Sequence, residues 1–243
     1  MKRAVILGIF LTMIGGIINM PTHAQETVNE KLQAKKAEFS KKAPQQKKDD
    51  YEEGIRQVHE SGVLEHAKNV GDKAPDFTLS NAVGESLNLY DTLKNGPVVL
   101  IWYRGEWCPY CNIYLYELHK QADEFMAHNA TIIAVSPAKP DESWSTEDKA
   151  EVKLQVLSDE GSKVAEDYGV VYTLPPKIAE YYQEAFDIHG ANDDTSNRLP
   201  LAASYVIDPN GAITYAYLNA DYRERAEISD LLEAVKDISQ KGN

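Results

Sequence analysis

VVLIWYRGEWCPYCNIYLYEL, residues 98–118, contains both cysteines of the chain, Cys108 and Cys111. Val98 to Tyr103 is an unbroken apolar and β-prone run, the pattern of a strand buried on both faces. Gly105 supplies a bend. Helix signals begin at Cys108, which stands in the N-cap place, with Pro109 at the first helical position, where a missing N–H costs nothing. Cys111, Leu115, Leu118, Ala122 and Phe125 recur at helical spacing, so the second cysteine opens the buried stripe.

A C-x-x-C pair placed where an apolar strand turns into a helix can cycle between dithiol and disulfide, and redox chemistry at sulfur is the leading expectation. A purely stabilising disulfide gains most by closing a long loop, which this spacing does not do. Zinc is the other alternative. Two cysteines need two more ligands, and His59, His66, His119, His128 and His189 include no pair at H-x3–5-H spacing. No metal and no cofactor beyond the redox-active cysteine pair is therefore expected.

The two sulfurs differ in setting. A thiolate at a helix N-terminus is stabilised by unpaired N–H groups and the positive end of the macrodipole, and Arg104 adds a cation four residues upstream. Cys108 is thus expected to be the outer thiol that ionises, and Cys111, one turn further in among apolar neighbours, to wait protonated until it attacks an oxidised Cys108. Arg104 is a candidate catalytic residue, with a surface ion pair to Glu106 or Glu117 as its plain alternative. Trp107 and Tyr110 frame the cysteines as candidate contacts for substrate or a reducing partner. Pro109 between the cysteines tunes helix geometry and redox poise. His119 and His128 read as solvated or satisfied, and Asp221-Tyr222-Arg223-Glu224-Arg225 as a charged loop or a subunit contact.

The chain has 243 residues and a net charge of −13, a surface that repels nucleic acid and anionic membranes. Residues 1–24 read as an export signal: Lys2 and Arg3 form the charged start, Ala4 to Ile18 the apolar middle, and Thr22-His23-Ala24 the cleavage site. An apolar run of about 15 residues is short of the roughly 20 that span a bilayer, so cleavage rather than anchoring is expected. The product would be periplasmic in a two-membrane bacterium and secreted otherwise. Residues 25–69 form a charged arm, either two solvated helices broken at Pro44 or a disordered tether. The globular domain covers 70–243.

Within it, short strands are expected near Phe77 and at 85–89, then a helical turn at 91–93, the strand from Val98 and the helix behind it. Thr131–Ser136 is another apolar strand, which makes strand, helix and strand a parallel crossover. Helices at 143–153, 161–168 and 177–186 and a strand at 155–157 follow. Ser204–Ile207 and Ala212–Leu218 flank Asp208-Pro209-Asn210-Gly211, a type I turn signature, and a helix at 226–239 closes the chain. A βαβ unit with C-x-x-C opening its helix, followed by a ββα unit, is the order of a thioredoxin fold: an α/β protein with a central mixed sheet flanked by helices.

At this point the chain resembles a known group. GDKAPDFTLSN at 71–81, WYRGEWCPYCN at 102–112, VLSD at 156–159 and YVIDPNG at 205–211 are similar to the peroxiredoxin-like branch of the alkyl hydroperoxide reductase / thiol-specific antioxidant family, over roughly Val70 to Ile238. The resemblance implies thiol-dependent reduction of hydroperoxides. Cys108 would be the peroxide-attacking thiol and Cys111 the resolving one, joined as a Cys108–Cys111 disulfide that a thioredoxin-like dithiol reopens. The family places a proline and a threonine or serine seven and three residues before the attacking cysteine. Counted from Cys108, those places hold Ile101 and Gly105. An arginine carried just before the strand near Ser204 is here Ala202, and Arg104 is the residue placed to substitute. The competing functions are an exported thiol–disulfide oxidoreductase acting on protein cysteines and a redox-responsive binding protein working through the arm. A homodimer fits any of them.

Overall fold

The computed structural model describes residues 26–139 and 153–241. The expected leader and nearly all of the helix expected at 143–153 lie outside the described residues. The arm is helical: α1 (Val28–Lys42) starts in a capping box between Thr27 and Glu30, and α2 (Gln45–Glu60) begins after Pro44. A short α3 (Val63–His66) leads to the hairpin of β1 (Thr78–Asn81) and β2 (Ser86–Asn88) and the single turn α4 (Leu89–Leu93).

The centre is β3 (Val98–Trp102), α5 (Pro109–Met126) and β4 (Thr131–Ser136), with β3 and β4 parallel. β5 (Gln155–Ser158) lies parallel to β4 and antiparallel to β1. α6 (Lys163–Asp167), β6 (Val171–Thr173), α7 (Pro176–Phe186), α8 (Ile188–Asn192) and β7 (Arg198–Pro200) follow. β6 and β7 make a small separate ladder that sequence periodicity does not reveal, because three-residue strands carry no pattern. The hairpin of β8 (Ala202–Ile207) and β9 (Ile213–Asn219) and then α9 (Ile228–Lys241) complete the chain.

The sheet order is β2-β1-β5-β4-β3-β8-β9, the mixed sheet flanked by helices of a thioredoxin fold. Val98, Leu100 and Trp102 of β3 enter one apolar cluster while Val99 and Ile101 enter the other, so alternation sends successive side chains into cores on opposite faces. Strand direction fixes what meets at the sheet edge. β8 runs against β3 and β9 runs against β8, so the C-terminal ends of β3 and β9 lie at the same edge.

The β8–β9 turn closes as its residues demand. Gly211 N donates to Asp208 O (2.9 Å), and Asp208 Oδ1 accepts from Asn210 N (2.9 Å) and Ala212 N (2.8 Å). Asp208→Ala removes both side-chain bonds and is expected to cost about 1–2 kcal/mol, read as a lower denaturant midpoint with an unchanged slope.

Candidate active site

β3 delivers the chain to the sheet edge, and Gly105 turns it. Gly105 has φ +135°, and a Cβ there would stand 2.5 Å from Trp107 Nε1, so only glycine lets the indole fold over the turn. Cys108 is the N-cap of α5 and Pro109 its first residue, as expected. The buried stripe of α5 runs Cys111, Tyr114, Leu118, Ala122 and Phe125, with Tyr114 rather than the half-buried Leu115 completing it.

The expected asymmetry of the sulfurs is not what the structure contains. Cys108 is 1% exposed and Cys111 0%, so there is no outer thiol. Both are free cysteines, and their sulfurs stand 2.7 Å apart. Cys108 takes no capping hydrogen bond from the first N–H groups of α5, which removes the helix-terminus reason for placing the charge there.

Cys111 has what Cys108 lacks. Arg225 Nη2 donates to Cys111 Sγ at 3.3 Å, and Arg225 is itself 2% exposed. Burial opposes ionisation of Cys111. The hydrogen bond with Cys108, the charges of Arg225 and Arg104, and a backbone hydrogen bond of Arg104 outweigh it and bring the thiol down to about 5. Burial, the hydrogen bond with Cys111 and the charge on that sulfur push Cys108 the other way, well above the ordinary thiol range, against the pull of Arg104 and Arg225. One negative charge is therefore favoured in the pair, and the Arg225 hydrogen bond favours Cys111 as its seat.

Arg104 is buried rather than on the surface, and no ion pair joins it to Glu106 or Glu117. Glu117 instead pairs with Lys31 (2.8 Å) and Lys120 (3.2 Å). The Arg104 guanidinium lies in an aromatic cage, 3.8 Å from the ring centre of Tyr222, 4.6 Å from Tyr182 and 4.9 Å from Trp107. Cation–π attraction holds it there. Among the described residues its Nε and Nη1 are buried without an acceptor. Trp107 is half-buried and packs on Tyr182 and Phe186, whereas Tyr110 is buried against the edge of Tyr222.

Arg225, Tyr222 and Tyr182 are the residues sequence reading missed. Arg225 and Tyr222 come from the loop after β9, the stretch read as a charged loop, where Arg223 also is buried, held by Asp221 (2.7 Å) and Glu52 (2.7 Å). A cavity of about 930 Å³ lies at the other end of β3 beside Pro97 and is lined by Asp208, Asp230 and Asp237, away from the sulfurs.

The sequence profile of the AhpC/TSA family matches residues 70–216. The chain is 28% identical over 175 residues to peroxiredoxin Q of Arabidopsis thaliana, a chloroplastic protein, covering 72% of this chain and 70% of that one. It is 26% identical over 168 residues to the chloroplastic peroxiredoxin Q of Oryza sativa subsp. japonica, covering 69% and 67%. Among solved structures, a peroxidoxin of Mycobacterium tuberculosis superposes with TM-score 0.52 at 21% identity, over 70% of this chain and 97% of that one. Peroxiredoxin 6 of Arenicola marina superposes with TM-score 0.54 at 18% identity, over 72% and 76%. These two share the fold.

Proposed function

This chain belongs to the AhpC/TSA family, and from that premise we propose that it is a thiol-dependent peroxidase whose attacking sulfur is Cys111. The observation that carries the assignment is the buried Arg225 guanidinium on Cys111 Sγ, with Cys108 Sγ 2.7 Å away on the other side. Counted from Cys111, the family's proline and hydroxyl places hold other residues, as they do when counted from Cys108. The places seven and three residues earlier are then Arg104 and Cys108, so the Cys108 thiol stands where the family keeps a hydroxyl. Arg225 supplies the cation that Ala202 cannot.

The Cys111 thiolate attacks the distal oxygen of the hydroperoxide. The O–O bond breaks, the alkoxide or hydroxide leaves with the electron pair and takes a proton from water, and Cys111 becomes a sulfenic acid. Arg225, and Arg104 with its free N–H groups, lie in the right region to stabilise charge on the departing oxygen. Cys108 then attacks the Cys111 sulfur. The S–O bond breaks, hydroxide leaves with the Cys108 proton as water, and a Cys108–Cys111 disulfide remains. A thioredoxin-like dithiol returns two electrons and two protons. We further propose, from residues 1–24, that this happens outside the cytoplasm.

Reduced protein mixed with one equivalent of hydrogen peroxide in a stopped-flow instrument is expected to lose two thiols per peroxide, with a change in tryptophan fluorescence, far faster than free cysteine does. A rate no greater than that of free cysteine sinks the peroxidase and favours an oxidoreductase acting on protein disulfides.

A further inference from the structure

The two halves of such a cycle make opposite demands. A hydroperoxide is small, whereas a dithiol reductant is a protein, and sulfurs exposed by 1% or less give a protein nothing to touch. The arm packs on the helix that carries them. α1 packs along α5, and Val28 and Leu32 are buried in the same apolar cluster as Cys108, Cys111, Tyr110 and Tyr114. α2 closes the neighbouring side, where Tyr51 stacks on Tyr181 and Gly54 lets it approach α7, since a Cβ there would stand 2.5 Å from Ile178 Cγ1. Between α2 and the domain lies a cavity of about 10 Å³ bordered by Tyr51, Tyr172, Tyr182 and Tyr222, the room of about one water molecule.

The arm is fastened mainly to the loop that carries Arg225. Asn29 Nδ2 donates to Arg225 O (2.8 Å) and Glu227 Oε1 (2.8 Å), and Asn29 Oδ1 accepts from Arg225 N (3.2 Å). Gln33 donates to Glu224 (2.6 Å), and Lys36 lies 3.9 Å from Asp221. These three side chains share one face of α1 at helical spacing. From α2, Glu52 takes both Nη atoms of Arg223 (2.7 and 3.0 Å). These polar fasteners are partly in water and exchange easily for it, whereas Val28, Leu32, Tyr51 and Val58 hold the arm by buried apolar contact.

We propose that α1 and α2 are a cover over the dithiol that is released when Cys108 and Cys111 become a disulfide, so that a protein reductant gains access only after the peroxide has been consumed. The proposal rests on the peroxidase reading for its biological use but not for its physics. In the reduced protein the anionic sulfur holds Arg225 at the sheet edge. Oxidation joins the sulfurs and removes that charge, leaving Arg225 Nη1 on the carbonyls of Tyr222 and Glu224 but Nη2 without its anion. Such a group is costly until it reaches water. Moving it moves the backbone that Asn29 grips. Reduction by an incoming dithiol, which leaves as its own disulfide after giving two electrons and two protons, restores the anion and the clasp.

Hydrogen exchange of the full chain tests this directly, comparing protein reduced with dithiothreitol and protein oxidised with diamide, so that peroxide chemistry is not involved. Amides of α1 and α2 are expected to exchange at least about tenfold faster in the disulfide form, while those of β3 and β4 do not change. Equal exchange in the two forms overturns the proposal. In the full-length double variant Asn29→Ala, Glu52→Gln, reduction of the disulfide by a reduced thioredoxin is expected to quicken about tenfold, with first-turnover peroxide reduction within about twofold of the wild type. A loosened arm without faster reduction also overturns it. Loss of protection in β3 and β4 would mark a misfolded variant, and the wild-type comparison then decides alone. A wild type that fails with peroxide yet shows the exchange difference refutes the activity and leaves the cover standing.

Discussion

Cys111→Ser is expected to slow peroxide consumption by the reduced protein at pH 7 by about 100-fold, because it removes the sulfur that Arg225 holds and leaves Cys108, whose burial still opposes its ionisation. Cys108→Ser behaves differently. Serine keeps a hydroxyl beside the Cys111 sulfur, and Arg225 still donates to it, so the first turnover is expected to stay within a few-fold of the wild type. That variant cannot form the disulfide. It should hold one sulfenic acid at Cys111, trapped by dimedone and located by peptide mass, and should not turn over with a dithiol reductant. The opposite pattern, with sulfenic acid at Cys108 in the Cys111→Ser variant and an inert Cys108→Ser, would return the attack to the cysteine that its place at the helix start suggests.

Why the sequence suggests Cys108 is plain in the distances along the chain. Strand, bend, N-cap and proline are all local signals, and each of them is where the residues say: β3 from Val98, the turn at Gly105, α5 from Pro109. The hairpin at Asp208–Gly211 and the closing helix are equally local. The group that selects the charged sulfur is 114 residues away from it, in a stretch whose alternating charges look solvated. Burial of Arg223 and Arg225 depends on the arm and on α5 arriving from elsewhere. One long-range clue was available. A hairpin following a parallel crossover brings the end of β9 to the edge where β3 ends, so the loop at 220–227 had to meet the cysteines. The arm's helical form also follows from local signals, the capping box at Thr27 and the break at Pro44. Its docking does not, because the anchoring residues Asn29 and Glu52 find their partners near residue 225.

Arg225→Gln isolates the charge from the shape. Glutamine keeps an N–H within reach of the sulfur but carries no charge, so Cys111 is expected to climb from about 5 toward the ordinary thiol value near 8.5. The hydrogen bond with Cys108 and the charge of Arg104 remain, so the thiol stops short of that value, and peroxide reduction at pH 7 is expected to fall by up to about 30-fold. The pH profile separates this from a loosened loop. Wild-type rates should be level from about pH 6 to 8 and fall as the pH drops through about 5, whereas the variant should still be rising at pH 8. Arg225→Lys, which keeps the charge without the planar fork, should recover much of the low-pH rate. The same shift has a stability consequence whose sign is fixed. A thiol ionised in the folded chain and protonated in the unfolded one releases a proton on folding, so its stabilisation is present above the unfolded value near 8.5. It is lost as the pH falls toward about 5. The wild type should therefore gain stability with rising pH more steeply than Arg225→Gln across pH 5 to 8, measured by denaturant midpoints on reduced protein. Parallel slopes would mean that the charge on Cys111 does not depend on Arg225, and the assignment of the attacking sulfur would lose its physical basis.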